Sequence, residues 1–303
     1  MLKVGSHTVK LSSLDKVLFP DEGITKGDLI DYYRRIADTM LPHMAGRPIS
    51  MHRFPNGIHK AGFYHKEVPD YFPDWITRAA VQVEEEGVMQ LQVICDKPET
   101  LVYLANQACV TPHIWLSRAD KLHYPDKMIF DLDPPGGEFD IVRLAARSLR
   151  EILEDIGLAS FIMTTGSRGL HVVVPLDRGA DFDEVRLFAK DVAQLLVDKE
   201  PGRFTVETRK DKRDGRLFLD YLRNSYAQHG VAPYAVRAKP GAPVATPLDW
   251  EELANPNLTS ASYTMQTIFQ RLAHKQDPWK DMMRHAQSLK TPRRRLERLT
   301  SAA

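Results

Sequence analysis

Two carboxylates one residue apart, Asp131 and Asp133, end the run Met128-Ile129-Phe130-Asp131-Leu132-Asp133. Side chains alternate along a strand, so both acids would share one face with Cα atoms about 6.5–7 Å apart. Charges held that close repel unless a cation lies between them. Hard divalent ions such as Mg²⁺ and Mn²⁺ take oxygen ligands of this kind. The competing reading is a solvated pair before a turn. The apolar run and the abrupt Pro134-Pro135-Gly136-Gly137 stop favour acids fixed at a rigid strand end. A third carboxylate, Asp220, lies inside Leu217-Phe218-Leu219-Asp220-Tyr221, on the face of Phe218 and Leu222. A buried carboxylate needs a partner. Here that is an ion pair with Arg213, Arg216 or Arg223, or a metal. Three carboxylates against two divalent ions leave about one positive charge over, which suits a polyphosphate substrate and in-line displacement.

Between the acidic segments runs Thr164-Thr165-Gly166-Ser167-Arg168-Gly169-Leu170-His171. Glycines permit close backbone approach, hydroxyls donate, and Arg and His can face phosphate oxygens. The run Arg209–Arg216 reads as a solvated hairpin loop on charge alone. Arg237 and Lys239 would share one face of an extended segment, as phosphate contacts or as a charged edge. Lys26 follows Thr25, a helix N-cap with Asp28 three residues on. A cation in a first helical turn opposes the macrodipole unless an anion shares the site, and a phosphate would account for it. Lys16 lies nearby in sequence. His52-Arg53-Phe54, Phe63-Tyr64-His65-Lys66 and His113-Ile114-Trp115 mix aromatics with cations. That mixture suits base stacking beside phosphates, or a core.

The elements that must position these residues are clearest in the middle of the chain. A strand over Lys127–Asp133 precedes a helix over Phe139–Ile156 with Gly157 at its C-terminal end. Strands Phe161–Thr165 and Leu170–Pro175 form a hairpin, and Asp183–Val197 is a second helix. Strands Phe204–Glu207 and Arg216–Leu222 complete the order. Strand–helix–strand–strand–helix–strand is the split βαβ, ferredoxin-like pattern. Upstream, one helix follows Thr25, with Pro42 just past its end, and a shorter one covers Thr100–Cys109. Downstream, Thr259–Leu272 and Pro278–Leu289 are helical, and 291–303 is a basic linker or tail. At 303 residues and net charge +1, bulk positive charge is excluded as the source of any nucleic-acid affinity, but a local basic groove is not. Two cysteines, Cys95 and Cys109, imply a reduced, cytoplasmic setting. No signal peptide and no membrane span is expected.

With Leu14–Pro20, Asp131-x-Asp133, Thr165–His171, Asp220, Arg237-x-Lys239 and Pro247–Trp250 in that order, the chain resembles the polymerase domain of bacterial DNA ligase D, in the archaeo-eukaryotic primase superfamily. The resemblance implies an α+β fold: an RRM-like antiparallel catalytic sheet with flanking helices over 123–247, an N-terminal mixed module over 1–122, and C-terminal helices over 248–290. It implies that Asp131, Asp133 and Asp220 hold two Mg²⁺ or Mn²⁺ ions. Thr165, Ser167, Arg168 and His171 would hold the triphosphate and sugar of an NTP or dNTP, helped by Arg213, Arg237 and Lys239, with His113 near the nucleotide. Phe63 and Tyr64 would stack on base or template, and Lys16 and Lys26 would grip a downstream 5′-phosphate. The implied function is gap filling and end extension in bacterial non-homologous end joining. Implied partners are DNA ends, gaps and primer-templates, the end-binding protein Ku, and ligase and phosphoesterase modules, for which 303 residues leave no room. The implied location is the cytoplasm, at the nucleoid. Lys239 supplies a point charge where an arginine would bind phosphate bidentately.

Three other readings compete. Lys212-x-Asp214-Gly215 spells the signature of covalent nucleotidyltransferases, but fewer than 90 residues follow it. An apolar strand ending in Asp-x-Asp also resembles haloacid-dehalogenase phosphatases, with Asp131 as nucleophile and Asp133 as acid. A non-catalytic DNA-end-binding module would use Lys16, Lys26 and the basic loop, and would leave three aspartates facing phosphates without purpose.

Overall fold

Asp131 and Asp220 are cross-strand neighbours: the strands Lys127–Asp133 and Leu217–Asp220 pair antiparallel with these two residues directly opposite. The computed structural model describes residues 1–83 and 88–301. Among these, no helix is long and apolar enough to cross a membrane. The chain divides into two compact units. The first comprises 1–122, 229–246 and 263–275; the second comprises 123–228, 247–262 and 276–303.

The second unit carries the expected βαββαβ order. Its sheet runs Phe204–Thr205, Leu217–Asp220, Lys127–Asp133, Leu170–Pro175, Phe161–Thr164, Thr246–Leu248. The four central strands, taken by their chain order, stand fourth, first, third, second, all antiparallel. That is the ferredoxin-like arrangement. Alternation separates two faces. Met128, Phe130 and Leu132 are fully buried with Val172, Val174, Leu217 and Leu219, while Asp131, Asp133, His171, Phe218 and Asp220 face the other way. Helices Phe139–Asp155 and Phe182–Lys199 pack on the sheet and on each other. The first buries Val142, Ala145, Ala146, Leu149, Ile152 and Leu153. It ends where Gly157 takes φ +83°. There Leu158 N–H donates to Leu153 O and Gly157 N–H to Glu154 O, a Schellman closure that a Cβ would oppose. The second opens with a capping box, Asp181 and Glu184.

In the first unit, Lys26–Met44 is a helix opened by the Thr25/Asp28 capping box. It runs past Pro42, which lies inside its last turn, instead of ending before it. Proline there removes one N–H bond, and buried Met40, His43 and Met44 hold the turn. The helix packs against Pro98–Asn106. A four-stranded sheet runs His229–Val231, Cys109–Trp115, Ile49–Arg53, Phe63–His65.

Three expectations change. The segment 229–246, expected with the catalytic sheet, belongs to the first unit. Tyr32 OH donates to Tyr234 O and Thr111 Oγ1 to Val236 O, and a strand pairs with Cys109–Trp115. The basic tail from 291 is not a linker, because Lys290–Ser301 is a helix whose Pro292 and Leu296 are buried; residues 302 and 303 lie outside the described chain. The long helices expected over 259–272 and 278–289 shrink to Ile268–His274 and a 3₁₀ turn at Met282–His285.

Candidate active site

Register gathers the acids. Asp131 faces Asp220 across one strand pair and His171 across the other, and Asp133 follows two residues on along the same face. Directly opposed side chains have Cβ atoms about 4.5–5.5 Å apart, where like charges destabilise. Compensation comes from arginine. Arg223 Nε lies 3.1 Å from Asp131 Oδ2 and 3.7 Å from Asp220 Oδ2. Arg168 Nη2 lies 2.8 Å from Asp133 Oδ2. His171 Nε2 is 3.5 Å from Asp131 Oδ1, and its buried Nδ1 has no hydrogen-bond partner among the described residues.

Burial opposes ionisation of Asp131, only 13% exposed, but His171 and Arg223 outweigh it and hold its pKa at about 2. Asp220 moves the other way: burial and the charge on Asp131 push its pKa up, against Arg223 and a hydrogen bond from Leu222 N–H. One acid is firmly ionised and its neighbour is reluctant, as expected of two carboxylates sharing one site. Of the ion-pair alternatives for Asp220, Arg223 is the one realised. Arg213 instead donates to Glu207 O and Thr208 O and lies 3.9 Å over the Phe218 ring.

The turn after Asp220 is welded to the acidic strand. Buried Asn224 accepts from Ile129 N–H and donates to Ile129 O and Tyr221 O. Beside the acids, the hydroxyl of Thr165 donates to Gly169 O and accepts from Ser167 and Gly169 N–H. That hydroxyl, expected to face triphosphate, is engaged in shaping the loop. Gly169 touches the acidic strand so closely that a Cβ would stand 1.8 Å from Leu132 O.

All three acids offer hard oxygen donors, and the unpartnered His171 Nδ1 adds a buried polar atom to the same face. This donor set fits divalent cations. As placed, Asp133 turns to Arg168, and among the described residues no three His, Cys, Asp or Glu side chains close on one point. The backbone already puts the acids on one face, so side-chain rotation is the movement that closure requires.

The remaining expected residues lie in the first unit. Tyr64 stacks on His52 at 4.2 Å and meets His113 edge-on at 5.5 Å. Burial and then Arg237 push the His52 pKa down to about 4 and the His113 pKa well below its usual value. Phe63 is on the opposite side of its strand, near Arg53 and His65, so the two adjacent aromatics do not form one platform. Arg237 and Lys239 are not on an extended segment. Lys239 N–H donates to Arg237 O at 2.8 Å in a bend before Gly241 at φ +81°, which breaks the alternation assumed for them.

Lys26 is 6% exposed. Its Nζ donates to Ser12 Oγ and to Asn106 O, the last carbonyl of helix Pro98–Asn106. A cation at that helix C-terminus is favourably placed. Burial and Lys16 lower its pKa. The helix N-terminus itself is not open to a phosphate, because Lys26 and Gly27 N–H donate to Lys16 O and Leu14 O. Lys16 Nζ reaches Asn56 Oδ1 at 3.4 Å and is exposed. Sequence reasoning offered Arg223 only as one of three ion-pair partners for Asp220 and passed over Asn224. The spacing Asp220-x-x-Arg223 is the signal that singles out the first, and a buried amide leaves none.

Residues 25–279 match the family model for the LigD primase-polymerase domain. The multifunctional non-homologous end joining DNA repair protein LigD of Mycobacterium tuberculosis is 37% identical over 273 residues, which cover 87% of this chain and 36% of that protein. The bifunctional non-homologous end joining protein LigD of Bacillus subtilis is 31% identical over 281 residues, covering 92% and 45%. The chain therefore spans less than half the length of these relatives. Among solved structures, the polymerase domain of M. tuberculosis ligase D in complex with DNA superposes with a TM-score of 0.85 at 33% identity, covering 92% of this chain and 99% of that one.

Proposed function

Because the chain belongs to the LigD primase-polymerase domain family, we propose that it is a DNA-directed nucleotidyltransferase, adding ribo- or deoxyribonucleotides to a primer 3′-OH at gaps and ends. The observation that carries this reading is the register placing Asp131 opposite Asp220, with Asp133 on the same face. A phosphatase with Asp131 as nucleophile fits less well, because Pro134-Pro135 follows the second acid and Asp220 stands alone where a paired acidic motif is expected.

In this reading Asp131, Asp133 and Asp220 hold two Mg²⁺ or Mn²⁺ ions. The chemistry the ions supply when bound is a lowered pKa at the primer hydroxyl and neutralised charge on the departing pyrophosphate. The chain's own contribution is position and charge. The Thr165–Gly169 loop fixes Ser167 and Arg168 beside the acids, and Arg168 and His171 hold phosphate oxygens. Arg213, Arg237, Lys239 and His113 assist with the nucleotide, Phe63 and Tyr64 with the bases. Lys16 and Lys26 hold a downstream 5′-phosphate through their ammonium groups. The proposed setting is cytoplasmic end joining at the nucleoid, with DNA ends, Ku, and ligase and phosphoesterase modules as partners.

The test extends a labelled primer across a 5′-phosphorylated gap, with rNTPs or dNTPs and with Mg²⁺ or Mn²⁺. Asp131→Ala should cut nucleotide addition at least about 10²–10³-fold and leave DNA binding intact. Addition at the wild-type rate in that variant overturns the assignment.

A further inference from the structure

Arg223 is placed as a counter-ion and not as a structural clamp. Its Nε lies 3.1 Å from Asp131 Oδ2, where it hydrogen-bonds, and 3.7 Å from Asp220 Oδ2. Among the described residues its two terminal nitrogens hydrogen-bond to nothing. A guanidinium built for permanence uses its fork on one carboxylate, with two parallel bonds. This one leans across two carboxylates edge-on. Its side chain is 44% exposed, whereas Asp131 is 13% and Asp220 23% exposed. The backbone around it is held. Asn224 bonds three times to the strand and turn on either side, and Leu222 N–H donates 2.8 Å to Asp220 Oδ1. A fixed backbone under a half-exposed, singly bonded side chain lets the guanidinium leave while both acids stay in place.

We infer that Arg223 is the resident cation of the ligand-free site, which a divalent ion must displace from Asp131 and Asp220 in order to bind. The reason is electrostatic. Two ionised acids directly opposite across an antiparallel pair repel, so the site needs positive charge when no metal is present. The guanidinium lies against Asp131 Oδ2 and Asp220 Oδ2, while Asp131 Oδ1 faces His171 Nε2 and Asp220 Oδ1 accepts from Leu222 N–H, so a cation held by both acids would compete with it. Metal entry is therefore an exchange of cations, and Arg223 lowers the apparent metal affinity while stabilising the empty site. The inference rests on the reading that these acids bind metal, and the experiment separates the two.

The metal-free 303-residue chain is titrated with Mn²⁺ alone, free Mn²⁺ being followed by its EPR signal, without nucleotide or DNA. Arg223→Gln should bind Mn²⁺ about 3- to 10-fold more tightly than wild type, the weight of one partly exposed charge-assisted contact. It should also melt at a lower temperature in metal-free buffer, with Mn²⁺ restoring the difference. Arg223→Lys, whose shorter reach spans the acids less well, should fall between; it carries the test if Arg223→Gln does not fold. Equal or weaker Mn²⁺ binding in the variants, with wild type binding normally, overturns the inference and leaves the metal reading standing. Wild type binding no more Mn²⁺ than Asp220→Asn overturns the metal reading, and the inference with it.

Discussion

The acids of the second unit and the cations of the first pose one electrostatic problem with opposite sign, and the two units meet it differently. Asp131, Asp133 and Asp220 are brought together by strand register and balanced by charged arginines, the exposed Arg168 and the half-exposed Arg223. Lys16 and Lys26 are also held near each other, but their partners are neutral: a serine hydroxyl, an asparagine side chain and a helix-terminal carbonyl. Among the described residues neither lysine has an ion pair. A site balanced by resident counter-ions binds its ligand by exchange. A site supported only by dipoles binds an anion by addition, with no counter-charge to expel. Salt should weaken both, but only the acidic site should respond to removal of a side chain of opposite sign.

The sharpest contrast is in rigidity. Gly169 abuts the strand that carries the acids, and an added methyl would overlap Leu132 O at 1.8 Å. Gly169→Ala should force the loop and strand apart, costing about 3 kcal/mol or more by urea unfolding and abolishing detectable primer extension. Gly23, two residues before the Thr25 cap, has φ +67° and open space around it. Gly23→Ala should cost only about 1 kcal/mol, the left-handed penalty. Equal costs at the two positions would break the distinction between the close packing at Gly169 and the open space at Gly23.

A smaller effect tests the addition mode. Lys26→Ala should weaken binding to 5′-phosphorylated gaps about tenfold, the loss of one charge-assisted contact, and leave 5′-hydroxyl gaps unaffected in fluorescence anisotropy. Because Lys26 also supports the end of helix Pro98–Asn106, exposed Lys16 is the control: Lys16→Ala should show the same phosphate dependence with an unchanged melting temperature. Equal losses on both gaps would remove the phosphate pocket.

The βαββαβ core of the second unit was legible in the sequence for a local reason. Between Lys127 and Asp220 its main strands and helices are contiguous periodic segments, with a stop signal as at Gly157, and the Asp131-x-Asp133 face follows from alternation alone. The Thr25 capping box was legible on the same ground. What escaped depends on partners distant in sequence. The 229–246 segment joins the first unit through Tyr32 and Thr111, over a hundred residues upstream. The helix Lys290–Ser301 is strongly basic, and only the burial of Pro292 and Leu296 fixes it. Lys26 reads as misplaced within its own helix and becomes well placed once the carbonyl end of another helix is seen beside it. Arg237 and Lys239 were assigned to one face by a period-two rule that a bend cancels.

The smallest effect separates the units by pH. His52 is held at about 4, by burial and then by Arg237; in the unfolded chain a histidine titrates near 6.5. The unfolded state therefore takes the proton first. Stability from neutral His52 is complete above about pH 6.5, falls as pH drops towards 4, and is flat below. Asp131, held at about 2 against an ordinary 3.8, loses its contribution only below about pH 4. Acid thus reaches His52 in the basic and aromatic cluster before it reaches Asp131. His52→Phe keeps a ring against Tyr64 and removes one titrating group. Between pH 7 and pH 5 it should lose about 1–2 kcal/mol less stability than wild type, read from urea midpoints at the two pH values. His113, depressed by burial and the same arginine, titrates in the same direction, so the variant should keep part of the slope. An unchanged slope in His52→Phe would mean that the proton is taken up elsewhere, and that the two units do not separate by pH as their charge environments require.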